Sequence, residues 1–342
     1  MTKVAIVGAN GYSGEELCLL LGRHPQAQIV AVTSRQHAGK PLEAVIPRLA
    51  GLPGLAGISF SDSQIASILD ANPAVIFLAL PHGLAGEFAL PLLEAGKKII
   101  DLSADFRLRD PAIYAEFYGV AHPAPHLLAE AVYGLPELHR KEISNARLVA
   151  SAGCYPTSIL IPLVPLLKAG LVQPGSIIAS CVSGTSGAGR KATESLLHAE
   201  CNQSLRAYGL PKHRHLSEIE QELSLAAQEP LQITFVPHLA PMTRGIYSTI
   251  FFAPVDGARQ SEIEACWQAA YGDEPFVRLP SGLPDIKNVS GTNFCDLAVR
   301  EDTRTGRMVV LCAEDNLVKG ASGQAVQNLN LMAGFPETDG LL

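Results

Sequence analysis

The sequence has little charge and no surplus of positive charge. Of its 342 residues 17% are charged, and Asp and Glu outnumber Lys and Arg by 33 to 26, which gives a formal net charge of −7. Such a balance does not suit a nucleic-acid surface or an anionic membrane as a partner. We therefore expect a small-molecule partner, and an anionic substrate would have to meet a local cluster of arginines.

The cysteines form no pattern that indicates a disulfide framework or a metal site. They are seven in number, an odd count, and they include no C-x-x-C pair. They are Cys18, Cys154, Cys181, Cys201, Cys266, Cys295 and Cys312. We expect no bound metal.

Two further signals are missing, a membrane span and a leader. No apolar run is long enough to cross a bilayer, and the chain enters a strand pattern by Lys3 without a charged-then-apolar segment. We therefore expect a cytoplasmic protein. With a hydrophobic fraction of 47%, the chain is long enough for two domains, each with its own core.

The first residues have the pattern strand, glycine loop, helix. Residues 3–7 are an apolar run typical of a buried parallel strand, and a helical pattern extends from Glu15 to Arg23. The G-x-x-G-x-x-G loop between them allows a pyrophosphate to approach the amides of a helix N-terminus. The loop residues that we expect to bind a dinucleotide are Gly8, Asn10, Gly11, Tyr12, Ser13 and Gly14.

The end of the second strand predicts which dinucleotide is bound. This strand covers residues 28–32 and is followed by Thr33, Ser34 and Arg35. An NAD site usually has an acidic residue near this point, whereas an NADP site offers a cation to the 2′-phosphate. Ser34 and Arg35 fit the second case, so we expect NADPH as the cofactor.

Two later strands are expected to end at the same cleft, because ligands of a doubly wound sheet bind at the carboxyl ends of its strands. Residues 74–80 lead into Pro81 and His82, and residues 98–103 form the following strand. Pro81 and His82 should line the cofactor cleft. A loop histidine without a function is the alternative for His82.

The loop after the strand at 98–103 contains a candidate phosphate ligand. Arg107 could bind a phosphate through its paired donors. Asp101 or Asp105 could instead hold the guanidinium in a structural role.

Residues 110–145 are rich in Pro, Ala, His and Tyr, and we expect them to be an irregular surface covering. Residues 147–151 then form the last strand of the first domain. The chain passes from there into the second domain.

Cys154 lies at a predicted helix start. It follows Gly153 and precedes a residue that Pro156 keeps out of the helical region, and the helix is predicted from Thr157 to Ala169. The free amides and positive dipole end of a helix favour thiolate over thiol, which makes Cys154 a candidate nucleophile. The alternative is that Cys154 is a small buried hydrophobe.

Two histidines precede a later helix. Ser217 can cap that helix, so His213 and His215 are expected just outside it. A histidine close to a thiol can serve as its base and as the acid for the leaving oxygen. The spacing does not choose between the two, and basic residues on a solvated loop are the alternative reading.

The second half of the chain also contains strands at hairpin-like spacing. A glycine-rich stretch at residues 183–191 is expected to be a substrate-side loop that carries Arg190. The strands predicted around it cover residues 176–182, 231–236, 246–252 and 307–312, and helices are predicted at 258–271 and up to about 332. This order favours a mixed or antiparallel sheet.

These motifs together resemble the N-acetyl-gamma-glutamyl-phosphate reductases, which belong to the linear arginine pathway, and more distantly the aspartate-semialdehyde dehydrogenases. The matching motifs include GANGYSGEEL at 8–17, ALPHG at 79–83, DLSADFRL at 101–108, AGCYPT at 152–157, SGAGR at 186–190, HRHLSEIEQ at 213–221, PHLAPMTRGI at 237–246 and DNLVKGASGQAVQN at 315–328. The resemblance covers nearly the whole chain. One departure is Leu216-Ser217, where the family usually has a proline before Glu-Ile.

The resemblance implies an α/β fold of two domains. A Rossmann NADP-binding domain would comprise residues 1–152 and 316–342, with the last helix returning from the C-terminus. An α/β catalytic and oligomerisation domain with a mixed or antiparallel sheet would comprise residues 153–315. Homodimers or homotetramers are usual in the family.

The resemblance also implies the chemistry. Cys154 would attack the acyl phosphate of N-acetyl-glutamyl phosphate, and NADPH would reduce the resulting thioester to the semialdehyde. The other implied site residues are His215 or His213 as the acid-base group, Arg107, Arg190, Arg244 and Ser103 for the substrate anions, and Asn316, Gly320 and His82 beside the cofactor. The alternatives are the same chemistry on a carrier-linked aminoadipyl or glutamyl phosphate, and a non-catalytic nucleotide-sensing protein.

Overall fold

The computed structural model describes residues 1–255 and 257–342. Its contacts divide the chain into two compact units, Met1–Ala152 with Ala321–Leu342 and Gly153–Gly320. The elements of the first part are β1 (Thr2–Val7), α1 (Tyr12–Leu21), β2 (Ala27–Thr33), α2 (Leu42–Val45), β3 (Phe60–Ser61), α3 (Ile65–Asp70), β4 (Val75–Leu78), α4 (Ala85–Glu94), β5 (Lys98–Asp101), α5 (Pro111–Tyr118), β6 (Val132–Gly134), α6 (Pro136–Asn145) and β7 (Leu148–Ser151). The remaining elements are α7 (Cys154–Lys168), β8 (Ile178–Ser183), α8 (His198–Cys201), β9 (Arg206–Ala207), α9 (Arg214–Ala227), β10 (Thr234–Leu239), β11 (Ile246–Phe252), α10 (Gln260–Tyr271), β12 (Val277–Arg278), β13 (Cys295–Asp302), β14 (Arg307–Glu314) and α11 (Gly323–Ala333).

The first unit is a parallel sheet with the strand order β3-β2-β1-β4-β5-β7-β6. Val4 and Ile6 of β1 belong to one core cluster, with residues of α1 and α11, whereas Ala5 and Val7 belong to another, with residues of α4. Both faces of the sheet are therefore covered, which explains the uninterrupted apolar run in β1. The strand order reverses between β1 and β4, where doubly wound sheets bind ligands. The predicted Rossmann-type sheet is confirmed.

Helix α11 brings the C-terminal end of the chain back to the first unit. It contacts α6 and α1, and Asn328 Nδ2 donates to the carbonyl of Gly134 at 3.1 Å. This return was predicted at residue 316, whereas the contacts place it at Ala321. The reason is that the side chain of Asn316 bonds within the second unit, as described below.

The prediction that residues 110–145 are irregular is wrong, since they contain α5, β6 and α6. Asp110 is the N-cap of α5, and its carboxylate accepts from the N–H of Ala112 at 2.7 Å. Pro111 occupies the first helical position, where a proline is favoured. The Asp-Pro pair was thus a helix-start signal, and the helix buries Tyr114 completely.

The second unit is built on a sheet with the strand order β12-β13-β14-β11-β8-β10-β9. Strand β11 runs antiparallel to β14 and to β8, whereas β8 and β10 are parallel. The predicted mixed sheet is confirmed. Along β11 buried and partly exposed residues alternate, as expected of a sheet with one fully covered face.

Helix α7 packs at the centre of the second unit, against α9, α10, β11 and β14. Pro165 lacks an N–H, so the carbonyl of Ile161 has no donor within the helix. The hydroxyl of Tyr271 in α10 donates to that carbonyl at 2.6 Å. A bond that the proline removes is thus replaced by a side chain, which fixes α7 against α10. Within the described ranges, no helix combines the length and the apolar character needed to cross a membrane.

Candidate active site

The thiol of Cys154 lies at the first residue of α7. Gly153 is the N-cap, with extended backbone at φ −71° and ψ 159°. The predicted start at Thr157 is wrong, because Pro156 is the third helical residue, where its missing N–H interrupts no helical bond. Cys154 is a half-buried residue at this helix N-terminus.

Three residues fix the backbone around Cys154. Glu218 Oε1 accepts from the N–H of Gly153 at 2.8 Å, and Thr157 Oγ1 donates to the carbonyl of Gly153 at 3.0 Å. Gly320 packs so closely that a Cβ at its position would lie 2.8 Å from the Cβ of Cys154. Glu218 was not identified from the sequence, since it is buried and 65 positions from its partner in the chain.

The predicted helix cap at Ser217 is wrong. Helix α9 begins at Arg214, and His213 is its N-cap. Nδ1 of His213 accepts from the N–H of His215 at 3.0 Å, whereas Ser217 Oγ donates back to the carbonyl of Arg214 at 2.9 Å. The extended backbone of His213, with ψ 145°, directs its ring toward the first-turn amides. His213 therefore lies outside the helix and His215 within its first turn.

His213 and His215 both lie close to Tyr155, the residue that follows Cys154. The ring of Tyr155 lies 5.7 Å from the ring of His213 and 6.0 Å from that of His215, measured between centroids. The hydroxyl of Tyr208 donates to the hydroxyl of Tyr155 at 3.1 Å. The structure thus brings both candidate acid-base residues to Tyr155, the neighbour of Cys154.

Burial fixes the protonation of this aromatic group. Burial, followed by the charge of Arg214, lowers the pKa of His213 to about 4. Burial also raises the pKa of Tyr208 to about 12 and is the largest of the causes that raise the pKa of Tyr155. In neutral solution His213 is therefore uncharged and both phenols keep their protons.

The two arginines of this unit that were predicted for the substrate differ in their surroundings. Arg190 is exposed, two residues beyond the 3-10 turn Thr185–Ala188. The side chain of Arg244 is only 20% exposed, and its Nη1 lies 3.3 Å from Oδ2 of Asp315. Asp315 is fully buried and was not identified from the sequence.

The turn that contains Asn316 and Gly320, which were predicted to lie beside the cofactor, is fixed by hydrogen bonds in the second unit. Oδ1 of Asn316 accepts from the N–H of Gly245 at 2.8 Å, and its Nδ2 donates to Ser186 Oγ at 2.9 Å. Asn316 is almost fully buried, and Gly320 is the residue that packs against Cys154. Their contact with a cofactor stays a prediction.

In the first unit the glycine loop leaves space above the first turn of α1. The helix begins at Tyr12 rather than Glu15, with Gly11 as its N-cap. Gly8 has φ +87°, and a Cβ at Gly14 would lie 2.5 Å from the carbonyl oxygen of Gly8. A Cβ at Gly11 would meet only that same oxygen, at 3.7 Å, so this cradle of amides is open and fits a pyrophosphate. The other loop residues predicted for the cofactor, Asn10, Tyr12 and Ser13, lie in the same turn and are partly buried.

The residues after β2 separate into one buried and one exposed side chain. Ser34 is 2% exposed, and its Oγ accepts from the N–H of Gln36 at 3.3 Å. Arg35 is exposed. Of the pair predicted to select the dinucleotide, the cationic side chain is thus the one open to a ligand.

The loop after β4 is tied to the loop after β5. Nδ1 of His82 accepts from the N–H of Ala104 at 3.3 Å, while the imidazole itself is exposed beside Pro81. The carboxylate of Asp105 accepts from the N–H of Gly83 at 2.7 Å. The two strand ends that were predicted to share a cleft are therefore joined by hydrogen bonds.

Ser103 and Arg107 are parts of that packed loop. Ser103 Oγ donates to Asp101 at 2.8 Å and accepts from the N–H of Asp105 at 3.1 Å. Arg107 is 7% exposed, and its Nη2 donates to the carbonyl of Leu102 at 2.9 Å. Burial, followed by the charge of Asp105, raises the pKa of Asp101 to about 7. A structural role for these groups is therefore present, and their contact with substrate stays a prediction.

Two family models match the chain. Residues 3–146 match the semialdehyde dehydrogenase NAD binding domain, and residues 154–316 match the semialdehyde dehydrogenase dimerisation domain. Among solved structures, aspartate semialdehyde dehydrogenase II from Vibrio cholerae, complexed with ASA, has a TM-score of 0.72 at 15% identity and 98% coverage of both chains. The enzyme from Candida albicans, with NADP, has a TM-score of 0.69 at 14% identity and covers 97% of this chain and 98% of its own. At these identities the likeness shows the fold alone.

These matches define the class, which is that of the semialdehyde dehydrogenase-type oxidoreductases with a nicotinamide dinucleotide as cofactor. An N-acetyl-gamma-glutamyl-phosphate reductase from Akkermansia muciniphila is 52% identical over 99% of this chain and 98% of that protein. One from Citrifermentans bemidjiense is 52% identical over 100% and 98%, respectively. The chain belongs to the N-acetyl-gamma-glutamyl-phosphate reductase family.

Proposed function

We propose that the protein reduces N-acetyl-L-glutamyl 5-phosphate to N-acetyl-L-glutamate 5-semialdehyde with NADPH and releases phosphate, a step of arginine biosynthesis. The observation that carries the proposal is the position of Cys154, a half-buried residue, as the first residue of α7. A helix N-terminus stabilises a thiolate, which is the form that attacks an acyl group. The names of relatives that are half identical over the full length supply the substrate.

Cys154 performs the covalent steps. Its thiolate attacks the acyl carbon, a C–S bond forms, the C–O bond to phosphate breaks, and inorganic phosphate leaves. The nicotinamide cofactor supplies a hydride to the carbon of the thioester when it is bound. The C–S bond then breaks, which releases the aldehyde and restores the thiolate. Dividing the reaction in this way replaces one difficult step by two easier ones.

His215 is the acid-base residue in this proposal, and His213 is the helix cap. Nδ1 of His213 is already the acceptor for the N–H of His215, and a pKa of about 4 makes its ring a poor base for a thiol. His215 takes the thiol proton and later holds a proton at the carbonyl oxygen.

The two roles predict different kinetics. His215→Asn should lower kcat by about 100-fold to 1,000-fold, the usual size of a lost acid-base group. His213→Asn should retain kcat within tenfold and lose stability instead. Steady-state kinetics with thermal unfolding of both variants measures this, and the reverse ranking would assign the acid-base role to His213.

The proposed preference for NADPH rests on Arg35. Its exposed guanidinium follows β2, where an acidic residue of an NAD site would stand. Arg35→Ala should weaken the binding of NADPH about tenfold, as expected for the loss of a guanidinium-phosphate contact, and leave NADH unchanged. Tighter binding of NADH than NADPH by the wild type would reject this preference.

Arg107, Arg190 and Arg244, with Ser103, are the proposed ligands for the phosphate and the α-carboxylate.

We also propose a cytoplasmic homodimer or homotetramer. The family model for residues 154–316 is named for dimerisation, and Leu197, Leu205 and Leu210 are large apolar side chains exposed in that unit. Light scattering behind size exclusion measures the oligomeric state, and a monomer at micromolar concentration would reject the proposal.

The deciding experiment is reduction of NADP by N-acetylglutamate semialdehyde, with and without inorganic phosphate. We expect phosphate-dependent turnover that Cys154→Ala abolishes. A folded wild type that binds NADPH but shows no turnover would instead be assayed on carrier-linked aminoadipyl and glutamyl substrates. Inertness there as well would leave the nucleotide-sensing protein.

A further inference from the structure

Asp315 is a fully buried carboxylate that contacts three parts of the second unit. Its Oδ1 accepts from the N–H of Leu317 at 2.8 Å, and its Oδ2 accepts from the N–H of Gly291 at 2.6 Å. The same Oδ2 lies 3.3 Å from Nη1 of Arg244. A buried carboxylate is costly unless it is paired and hydrogen-bonded, and these contacts meet both requirements. The carboxylate therefore has a defined position, from which it can orient the guanidinium.

The segment that carries Arg244 is fixed by a second contact with the same turn. The N–H of Gly245 donates to Asn316 Oδ1 at 2.8 Å, so Asp315 and the residue after it bind two consecutive residues. Arg244 is thus an oriented cation whose side chain is 20% exposed.

The backbone of Asp315 connects the same position to the nucleophile. Its carbonyl accepts from the N–H of Gly320 at 2.9 Å. Gly320 is the residue on which a Cβ would lie 2.8 Å from the Cβ of Cys154. Asp315 therefore holds both the guanidinium of Arg244 and the backbone of Gly320, which packs against Cys154.

We propose that Asp315 is a positioning residue that acts through Arg244: it orients the guanidinium toward an anionic group of the substrate and fixes it relative to Cys154. This inference rests on the proposed function, since it requires a substrate that carries a phosphate and a carboxylate. It also makes Arg244 a better candidate than Arg190 for binding the substrate anion, because Arg190 is exposed.

The test is a double-mutant cycle with Asp315→Asn, Arg244→Gln and the double variant. Asp296→Asn is the matched control, because Asp296 is a nearly buried carboxylate in the same unit that pairs with Arg278 at 2.6 Å. The KM for phosphate, the KM for N-acetylglutamate semialdehyde, kcat, the affinity for NADP and the alkylation rate of Cys154 are measured for each protein.

We expect Asp315→Asn and Arg244→Gln to raise the KM of the same anionic ligand about tenfold, with kcat within about threefold and NADP affinity unchanged. The double variant should resemble Arg244→Gln within about twofold, because a residue that acts through another adds nothing once its partner is gone. Asp296→Asn should leave both KM values at the wild-type level.

Several results would overturn the inference. One is a KM of the double variant that rises by the product of the two single effects, and another is an unchanged KM in Asp315→Asn. The others are single changes that raise the KM of different ligands, or a rise in KM of the same size in Asp296→Asn. If Asp315→Asn does not fold, Asp315→Glu replaces it with the same criteria, since it keeps the charge and displaces the carboxylate by one methylene.

A failure of the proposed function is distinguishable from a failure of this inference. Without turnover in the wild type, equilibrium binding of inorganic phosphate and of N-acetylglutamate is measured by calorimetry on the same proteins. Weaker binding of one of them in both Asp315→Asn and Arg244→Gln would support the inference alone. Equal binding by all proteins, or no binding to the wild type, would reject it.

Discussion

Helices α1 and α7 begin with the same backbone conformation but present different groups in their first turns. Their N-caps, Gly11 and Gly153, are extended at φ −76°, ψ 166° and at φ −71°, ψ 159°. In α1 the cap and Gly14 leave the first-turn amides open to a ligand. In α7 the first residue is Cys154, and the N–H of Gly153 is bound by Glu218. In the proposed function, one helix N-terminus binds an external anion and the other stabilises the anion of its own side chain.

The difference shows that a glycine-capped helix start is not by itself a dinucleotide site. Its role depends on the first helical side chain and on what occupies the amides of the cap. At α1 the glycines have no side chains, so a pyrophosphate can approach the backbone. At α7 a thiol takes that place, and a buried carboxylate holds the cap in position.

The largest expected effect separates the two helix starts completely. Cys154→Ser should lower turnover about 1,000-fold or more, since a hydroxyl has no accessible anion at neutral pH, and it should leave the affinity for NADPH unchanged. Cys266→Ser, at another half-buried cysteine, is the control and should retain wild-type activity. Steady-state kinetics and fluorescence titration check this, and substantial activity in Cys154→Ser would remove the nucleophile from the account.

A methyl group in the first turn of α1, or against the first residue of α7, should affect only the function of that helix start. Gly14→Ala places a Cβ 2.5 Å from a backbone carbonyl oxygen, so we expect dinucleotide affinity to fall about tenfold through displacement of the loop. Gly320→Ala places one 2.8 Å from the Cβ of Cys154, so kcat and the alkylation rate of Cys154 should fall by a similar factor.

Gly175→Ala is the control for both glycine variants, because a Cβ there would meet nothing within 4 Å. Dinucleotide titration and alkylation kinetics are run on all three proteins. If Gly14→Ala and Gly320→Ala had the same profile, the two helix starts would not have separate roles.

Removing the charge of Glu218 at the cap of α7 should change the reactivity of Cys154 less than the glycine substitutions do. Glu218→Gln keeps an oxygen for the N–H of Gly153 but removes a carboxylate from the cap next to Cys154, so the pKa of Cys154 should fall. The pH dependence of alkylation measures it. Glu220→Gln is the control, because Glu220 also accepts from a backbone N–H, that of Ile233, on the same helix. A rise in the pKa of Cys154 would show that Glu218 assists the thiolate.

Replacing His213 should have a small effect on how the stability of the fold depends on pH. Burial lowers the pKa of His213 to about 4, below its unfolded value of 6.5, so the unfolded chain binds the proton more readily. The contribution of His213 to stability is therefore present above pH 6.5 and is lost as the pH falls from 6.5 toward 4. His213→Asn should flatten the loss of stability in this window, measured by thermal unfolding. An unchanged slope would mean that His213 is protonated in the folded state.

The sequence predicted a helix after each of these glycine turns, with a start that was too late in both cases, because the signals are local. Gly8 to Gly14 and Gly153-Cys154 each lie within a few residues of the helix that they begin, and strand periodicity placed them at the ends of apolar runs. The errors at Ser217 and Thr157 were also local. In one case an imidazole took the place of the expected hydroxyl cap, and in the other a proline was accepted within the first turn.

The buried carboxylates could not be predicted in the same way. Glu218 binds the N–H of Gly153 across 65 positions, and Asp315 contacts Arg244 across 71. A carboxylate that accepts from a backbone N–H leaves no pattern in the sequence, since every residue except proline offers that N–H. Such pairs are determined by the packing of the sheet and helices, and the structure is needed to find them.

The most direct test of the central claim is the mass of the protein after reaction with N-acetylglutamate semialdehyde and NADP in the absence of phosphate. If Cys154 forms a thioester, we expect a burst of about one NADPH per chain and an N-acetylglutamyl group on the peptide that contains Cys154. Added phosphate should remove that group. An unmodified chain, or the acyl group on another residue, would contradict the account.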